Sequence, residues 1–597
     1  MPATINGLDV NTLLDQVRVS IPRNGLTPSP ADWRDCWIYF LMVDRFNNPV
    51  APPRGAFDGK FGGFQGGTIE GMRQKLDYLA QLGVGAIWFT PVLKNCRFLD
   101  GQPNDGSYHG YGIQSFLEID PRFASAPADA AAELRRFVDD AHAHGIYVIF
   151  DIVLNHTGDV FAYPSGSQAP WSDSPYAPVR WRDEYGEPQA GWTQAENIAD
   201  PPADAAVFPG ELRRNEFFRR QGTPRPGGPE TVGDFSSLKQ MLTSDAALGD
   251  ALIRIFQYLI AAYDIDGFRI DTLKYLDRDF ALRFGNAIRE FALSVGKKNF
   301  FTYGEVYDDE QKISEYIGRN VSVSGDLVGV DASLDFPLFF RLPGVLKGLL
   351  PPSAVVDMYQ VRKSVEQDVI SSHGEATRYF VTFLDNHDQH ARFYYRDTAD
   401  PHRYDDQATM AFACLFALPG IPSLYYGSEQ GLHGSGDSDQ NVREALWGMP
   451  QAFDPAHPFH LAIQRITRLR NAHAALRYGR FYFRPVSGNG AQFGISPYPG
   501  GVLAFSRILN DREVLVIANT GTQADFAGYA IVDSKLSPAG AQLRLLYSNK
   551  PAPLGPGVVQ SAAGLEIHEV DGSVSDGPAC ILPVHLSTTE IQVLGIA

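Results

Sequence analysis

Along most of the chain, apolar residues recur at helical spacing and then form a short continuous run. Leu76 and Leu79 lie on one face of such a helix, Gly83 follows it, and residues 86–89 are all apolar. The pattern predicts a helix that ends at the glycine, followed by a strand that is buried on both faces. Helix and strand patterns of this kind alternate from about residue 33 to residue 477, which is typical of a parallel sheet wrapped by helices.

The alternation is interrupted in two places. Between residues 157 and 244 proline, glycine, tryptophan and charged residues dominate, which indicates a small domain inserted after the third strand or a long active-site loop. After about residue 478 short apolar runs are separated by turns, which predicts an antiparallel β-sandwich. The predicted organisation is an N-terminal extension (1–32), an α/β domain (33–156 and 245–477), an inserted domain (157–244) and a C-terminal β-sandwich (478–597).

The composition limits the partners and the compartment. The formal net charge is −18, and a surface this acidic argues against a nucleic acid partner and for a neutral or cationic substrate. Four widely spaced cysteines, Cys36, Cys96, Cys414 and Cys580, fit neither a disulfide framework nor a zinc ribbon. The first residues lack a basic segment followed by an apolar one, and no run is apolar enough to span a membrane. We therefore expect a cytoplasmic protein with no membrane partner.

Several of the predicted strands end in acidic, basic or imidazole side chains. Because a barrel of parallel strands places its active site at the carboxyl ends of the strands, clusters at successive strand ends are expected to converge on one pocket. For Asp151 taken alone, a cap on a following helix is the alternative interpretation. The clusters are Asp151 with His156, Arg269 with Asp271, Glu305 alone, and Asp385 with His387 and Asp388.

These residue types fit cleavage of a glycosidic bond with retention, which needs a carboxylate nucleophile and a second carboxyl that protonates the leaving oxygen. Arg269 lies two residues before Asp271 on the same strand, so both side chains lie on one face and the guanidinium can keep the carboxylate ionised. Glu305, at the end of the next strand, is the candidate acid. His387 and Asp388 can bind sugar hydroxyls and stabilise positive charge at the anomeric carbon.

Four short segments resemble the signature segments of the α-amylase family, glycoside hydrolase family 13, and they occur in the family's order. The resemblance covers roughly residues 33 to 477 and implies a (β/α)8 TIM barrel. Three further segments, 42–46, 108–111 and 420–429, support it. The four segments are Asp151–His156, Gly267–Asp271, Tyr303–Val306 and Phe383–Asp388.

The family resemblance also implies a role for each site residue. Asp271 corresponds to the nucleophile, Glu305 to the acid/base and Asp388 to the residue that stabilises the transition state. Lys274 and Tyr275 stand on the leaving-group side, where relatives often have Lys-His. For Asp439 and Arg443 the resemblance implies binding of the sugar on the non-reducing side, and an exposed ion pair is the alternative. The residues implied in holding the sugar at the cleaved bond are Tyr111, His156, Arg269 and His387.

The implied chemistry requires no cofactor, although the resemblance raises the question of structural Ca²⁺. Asn155 and Asp234 match positions that bind Ca²⁺ in many amylases, and Asn48 matches a position in another branch of the family. The carboxylate-rich loops that would complete either site are not evident in the sequence. A purely structural role is therefore favoured for Asn155, and the metal ligands stay unknown.

The overall profile resembles intracellular cyclomaltodextrinase, neopullulanase and cyclic maltosyl-maltose hydrolase type enzymes. It implies a retaining hydrolase of α-glucosidic bonds in small linear or cyclic malto-oligosaccharides, such as cyclodextrins, pullulan fragments or cyclic maltosyl-maltose. A transglycosylase or isomerase on the same scaffold, like trehalose synthase, is the main alternative. A non-catalytic amylase-like binding protein is disfavoured because all three carboxylates are present. Monomer and homodimer both stay open.

Overall fold

A computed structural model describes residues 9–596 except 24, 59, 175, 225–230, 321–327, 367–368 and 372–373. Its largest unit is a barrel of eight parallel strands whose order in space follows the chain, with the last strand paired to the first. A parallel bridge between Leu334 and Val381 closes the barrel between the sixth and seventh strands, so the predicted (β/α)8 barrel is confirmed. The strands are β1 (Ile38–Leu41), β2 (Ala86–Phe89), β3 (Tyr147–Val153), β4 (Gly267–Asp271), β5 (Phe301–Gly304), β6 (Ala332–Ser333), β7 (Val381–Thr382) and β8 (Ile421–Tyr425).

Helices precede or follow the barrel strands as the alternating pattern predicts. The main helices are α1 (Val10–Ser20), α2 (Leu76–Leu82), α3 (Ala130–Ala143), α4 (Ala246–Tyr263), α5 (Arg278–Ser294), α6 (Ser353–Glu366), α7 (Asp405–Ala417) and α8 (Pro458–Ala472). The side chain of Asp245 accepts hydrogen bonds from two backbone N–H groups at the start of α4 and so caps this helix. Gly83, with a φ of 88°, ends α2 in the left-handed conformation that glycine adopts without steric cost.

The helix α4 belongs to the interior of the barrel domain. Contrary to the expectation that no run is apolar enough, α4 is long and apolar enough to cross a membrane, the one such helix among the described residues, but 61% of it is buried inside the protein. Leu252, Phe256 and Leu259 are fully buried, and α1 of the N-terminal extension packs against the same helix. This burial is the pattern of a core helix in a large α/β domain.

A segment of short strands and turns separates β3 from α4. Its two ends meet where Lys239–Gln240 pairs antiparallel with His156–Thr157. Inside the segment, the rings of Phe161, Trp181 and Phe218 lie 5.4–5.5 Å apart in edge-to-face contact. The segment therefore has a small aromatic core, as expected of the inserted domain. The residue boundaries of the domains stay predictions.

The C-terminal part contains antiparallel sheets that share a buried apolar layer. Leu515 and Ile517 of one sheet and Ala530 and Leu582 of another belong to one buried cluster. The predicted C-terminal antiparallel β domain is confirmed. One sheet contains Arg480–Phe483, Val502–Leu509, Arg512–Asn519, Glu590–Gly595 and Arg544–Ser548, and the other contains Val486–Ser487, Phe526–Val532, Ala579–Leu586 and Gln560–Ala562.

Candidate active site

Arg269 on β4 contacts three carboxylates at the carboxyl ends of neighbouring strands. It lies opposite Asp151 of β3 in the strand register. Its Nη1 donates to Oδ1 of Asp151 at 2.9 Å and to Oδ1 of Asp271 at 2.8 Å, and its Nη2 is 2.8 Å from Oε2 of Glu305. The N–H of Thr272 also donates to Glu305, at 3.1 Å. The side chains predicted at the ends of β3, β4 and β5 thus meet around one guanidinium.

The cluster carries more negative than positive charge, because one guanidinium faces three carboxyl groups. Burial raises the pKa of Asp271 well above its ordinary value; Arg269 opposes this effect, and Glu305 and Asp151 reinforce it. Burial likewise raises the pKa of Asp151, to about 6. Arg269 lowers the pKa of Asp271, as the sequence predicts, but burial outweighs this effect and the pKa is raised overall.

Asp151 belongs to this cluster and does not cap a helix. Its Oδ2 accepts hydrogen bonds from Nε1 of Trp88 at 3.0 Å and from the hydroxyl of Tyr111 at 2.9 Å. Both of its carboxylate oxygens also contact Arg269, and the residue is 3% exposed. The interpretation of Asp151 as a cap is therefore wrong. Trp88 was not predicted as a site residue, because it stands inside the apolar run of β2, where the sequence indicates only core.

Tyr111 and His387 form a stacked pair beside the carboxylates. Their ring centroids are 5.5 Å apart at an interplanar angle of 19°, and the Tyr111 hydroxyl is 2.8 Å from Nε2 of His387. Burial lowers the pKa of His387 well below its ordinary value, and the nearby guanidinium groups of Arg443 and Arg269 lower it further. The imidazole is therefore neutral and can exchange hydrogen bonds with a sugar hydroxyl without adding charge.

His156 is buried where the inserted segment leaves the barrel. The residue is 2% exposed, and its ring lies 5.6 Å from that of Phe235 in edge-to-face contact. Within the described residues its Nε2 has no hydrogen-bond partner, which is expected of a group that binds a ligand hydroxyl. Burial lowers the pKa of His156 to about 4. Phe235 was not predicted, because no periodic pattern marks it within the insert.

Replacement of His156 by glutamine (His156→Gln) is expected to change how stability depends on pH. The folded pKa of His156 is about 4 against an ordinary value of 6.5, so between these values the unfolded chain binds a proton that the folded chain does not. The contribution of His156 to stability is thus present above about pH 6.5 and is lost progressively as the pH falls toward 4. Relative to the variant, the wild type should lose about 1.4 kcal/mol of unfolding free energy per pH unit in this window.

Urea unfolding of both proteins across this pH range measures the difference. The difference in unfolding free energy between the wild type and the variant should be constant above about pH 6.5 and change below it. A difference that stays constant down to about pH 4.5 would show that His156 is not held in its neutral form by burial.

Arg443 joins the two acidic residues predicted on the other side of the site. Its Nη2 is 3.0 Å from Oδ1 of Asp388 and 2.7 Å from Oδ2 of Asp439. Its Nε donates to the carbonyl of His387 at 3.0 Å, and its Nη1 to the hydroxyl of Tyr108 at 3.1 Å. Arg443 is 8% exposed, so the alternative of an exposed ion pair is wrong for the arginine. The Asp388 side chain keeps 42% of its surface exposed and is open to a ligand.

Lys274 and Tyr275 lie on the loop that follows β4. The Lys274 ammonium donates to the carbonyl of Tyr307 at 3.0 Å and is 3.5 Å from Asp308, both on the loop after β5. The Tyr275 ring contacts Phe235 of the inserted segment, with centroids 4.7 Å apart at 72°. The two predicted leaving-group residues therefore lie between the β5 loop and the inserted segment.

The side chains that match calcium-binding positions are satisfied by hydrogen-bond donors. Oδ1 of Asn155 accepts from Nε2 of Gln240 at 3.2 Å. Oδ1 of Asp234 accepts from the N–H of Gln240 at 3.0 Å, and its Oδ2 accepts from the hydroxyl of Tyr163 at 2.6 Å. The ammonium of Lys239 is 3.9 Å from the same Oδ2. Calcium needs about six to eight oxygen ligands facing one point, so this donor-rich arrangement does not fit Ca²⁺.

The side chain of Asn48 is likewise satisfied by hydrogen bonds within the protein. Its Oδ1 accepts from the N–H groups of Val50 and Ala51, and its amide donates to the carbonyl of Gly66. Among the residues described, no group of three or more His, Cys, Asp or Glu side chains is arranged to hold a metal ion. Neither candidate position therefore presents a free set of oxygen ligands.

Paired carboxyl groups at the strand ends of a (β/α)8 barrel are the arrangement with which many glycoside hydrolases act. Residues 40–460 match the family model described as Alpha-amylase, the catalytic domain of alpha amylase. The chain therefore belongs to the alpha-amylase family. This match contains β2 to β8 in full, most of the helices around them and every residue of the site.

Individual relatives are distant. An alpha-amylase of Streptomyces lividans is 27% identical over 519 residues, which cover 78% of this chain and 52% of that protein. A beta/alpha-amylase of Paenibacillus polymyxa is 27% identical over 456 residues, which cover 75% of this chain and 31% of that protein. The chain thus spans about half or less of the length of these two curated relatives.

Solved structures share the fold over nearly the whole chain. The alpha-amylase of Geobacillus thermoleovorans, complexed with acarbose, has a TM-score of 0.61 at 22% identity and covers 95% of this chain and 99% of its own. The cyclic alpha-maltosyl-(1→6)-maltose hydrolase of Arthrobacter globiformis has a TM-score of 0.60 at 18% identity, with 95% and 100% covered. At this identity the likeness concerns the fold alone.

Proposed function

We propose that this protein is a retaining hydrolase that cleaves α-glucosidic bonds in small linear or cyclic malto-oligosaccharides. The observation that supports the proposal is that two carboxylates, those of Asp271 and Glu305, are held by the same neighbouring residues. Asp271 and Glu305 each contact a different terminal nitrogen of Arg269, at 2.8 Å, and both also contact Thr272. Common anchors favour the short separation of a retaining pair, about 5–5.5 Å, over the roughly 6.5–9.5 Å of an inverting pair that must admit water.

In the proposed first step, a carboxylate oxygen of Asp271 attacks the anomeric carbon and forms a glycosyl ester. The bond from that carbon to the glycosidic oxygen breaks, and Glu305 gives its proton to the departing oxygen. In the second step Glu305 takes a proton from water, the water oxygen bonds to the anomeric carbon, and Asp271 leaves as a carboxylate. Asp388, held by Arg443, lies beside the site and can stabilise positive charge on the sugar ring.

The proposed substrate class is inferred from the aromatic residues beside the site. Phe235 and Tyr275 offer two aromatic surfaces on the side of the inserted segment, and Tyr307, which is 53% exposed, follows Glu305 by two residues. Aromatic faces pack against the apolar faces of sugar rings, while a phenol hydroxyl adds a directed hydrogen bond. Among the fold neighbours, one is a cyclomaltodextrinase and another a cyclic maltosyl-maltose hydrolase. We propose that this chain acts on substrates of the same size.

A glycosyl transferase is the second candidate, because the same covalent intermediate can be attacked by a sugar hydroxyl. One fold neighbour, CldA, is a cyclomaltodextrin glucanotransferase with three domains, and it has a TM-score of 0.64 at 21% identity. The proposed compartment is the cytoplasm, where all four cysteines, which are free and buried, stay reduced.

Product analysis separates these candidates. The purified protein is incubated with cyclodextrin, pullulan, starch and maltose, and the sugars are separated by chromatography over time. We expect cyclodextrin or pullulan fragments to be converted to maltose or glucose faster than starch. Products longer than the substrate, or a disaccharide isomerised without release of glucose, would favour the transferase or isomerase. No turnover of any of these sugars would contradict both.

A further inference from the structure

We propose that the ammonium group of Lys239 acts as a built-in cation of the inserted segment and takes the place of a structural calcium ion. The Lys239 side chain is fully buried. Its Nζ is 3.2 Å from Oδ1 of Asp159 and 3.9 Å from Oδ2 of Asp234, and it donates to the carbonyl oxygen of Ser167. Carboxylate and carbonyl oxygens are the ligands that calcium takes in proteins, and here they face an ammonium group.

Two aromatic rings complete the surroundings of the ammonium. The Lys239 nitrogen lies 4.9 Å from the ring centroid of Tyr163 and 5.3 Å from that of Phe161. Rings at this distance attract a cation through their electron-rich faces, most strongly where water is excluded. They offer no lone-pair ligands of the kind that a calcium shell requires. The environment is therefore suited to an organic cation and unsuited to a hard divalent one.

The buried charges around Lys239 already balance. Asp159 and Asp234 carry the negative charges, and Lys239 and Arg182 the positive ones, with Nη2 of Arg182 3.3 Å from Oδ2 of Asp159. Arg182 also contacts Asp100, whose side chain is 60% exposed and screened by solvent. A divalent ion added to this site would leave excess positive charge away from water, which is unfavourable.

The position of Lys239 explains what its charge stabilises. Lys239 pairs with Thr157, and the neighbouring Gln240 pairs with His156, so this short ladder joins the two ends of the inserted segment. The ammonium adds Asp159 and Ser167 to the same junction. Lys239 thus holds the insert against the barrel next to His156.

Melting temperatures of lysine variants test the proposal. Lys239→Met keeps the aliphatic stem but leaves Asp159 and Asp234 without the ammonium, so Tm should fall by about 2–4 °C. The matched control is Lys535→Met, which removes an exposed lysine of the C-terminal part and should change Tm by no more than about 1 °C. A Lys239→Met protein as stable as the wild type would overturn the proposal.

Calcium dependence supplies the second readout. The Tm of the wild type should be the same in EDTA and in excess CaCl₂, and elemental analysis of the dialysed protein should find less than about 0.1 calcium per chain. In Lys239→Ser, which frees the oxygens and leaves room, CaCl₂ should raise Tm and EDTA should reverse the rise. A wild type that loses Tm in EDTA and regains it with CaCl₂ would overturn the proposal even if no variant folds.

Discussion

Replacement of Asp271 by asparagine is expected to lower kcat by at least about 10⁴-fold while the protein stays folded. Asparagine has nearly the same shape as aspartate, but its amide cannot form the glycosyl ester that the proposed reaction passes through. The guanidinium of Arg269 keeps two partners, Asp151 and Glu305, so the cluster loses one contact and remains paired. Initial rates on cyclodextrin and maltotetraose, together with a thermal melt, measure the two effects separately.

Asp9→Asn is the matched control for this variant. The Asp9 side chain caps α1 by accepting a hydrogen bond from the N–H of Thr12, and asparagine caps helices equally well. The control should keep the wild-type kcat and Tm. If Asp271→Asn retained more than about 1% of the wild-type rate, another residue would have to be the nucleophile.

Replacement of Arg269 by methionine is expected to impair both turnover and stability. Arg269 is 1% exposed and is the cation that contacts Asp151, Asp271 and Glu305. Without it three carboxyl groups face one another in a buried site, and loss of one partner from a buried ion pair costs about 3–5 kcal/mol. The protons that relieve this repulsion also remove the nucleophilic carboxylate, so kcat should fall at least about 100-fold.

Arg470→Met separates the effect on catalysis from the effect on folding. Arg470 is equally buried, but its guanidinium donates to backbone carbonyls of Phe416, Leu476 and Gly420, away from the site. This variant should lose stability because it leaves carbonyl groups unpaired, yet keep kcat at temperatures where it is folded. If Arg269→Met and Arg470→Met lost the same share of kcat, Arg269 would have only a structural role.

The barrel and its acidic strand ends could be predicted from the sequence because each depends on a local pattern. Residues 86–89 form an uninterrupted apolar run after a helical period, and such runs become buried parallel strands. Asp271 and Glu305 follow the apolar cores of adjacent strands, and the geometry of a barrel alone brings such ends together. The chemistry of the pair could then be inferred from the side chains themselves.

Contacts that depend on irregular segments could not be predicted. Lys239 stands in a stretch without periodicity, and a lysine there is ordinarily exposed; its burial follows from the packing of Phe161 and Tyr163, which no spacing in the sequence indicates. Arg443 also follows an irregular segment, and its guanidinium binds Asp388, which is 55 positions earlier in the chain. The extent to which burial raises the pKa of Asp271 could not be predicted either, because the degree of burial depends on the tertiary fold.

Retention of configuration through a covalent intermediate on Asp271 is the central claim, and proton NMR of the first products tests it most directly. The enzyme is mixed with maltotetraose or cyclodextrin, and the anomeric signals of new reducing ends are recorded before mutarotation equilibrates them. The α-anomer should appear first, because two displacements at the same carbon restore the original configuration. Early release of the β-anomer would mean a single displacement by water, and it would contradict the assignment of Asp271 as nucleophile and Glu305 as acid/base.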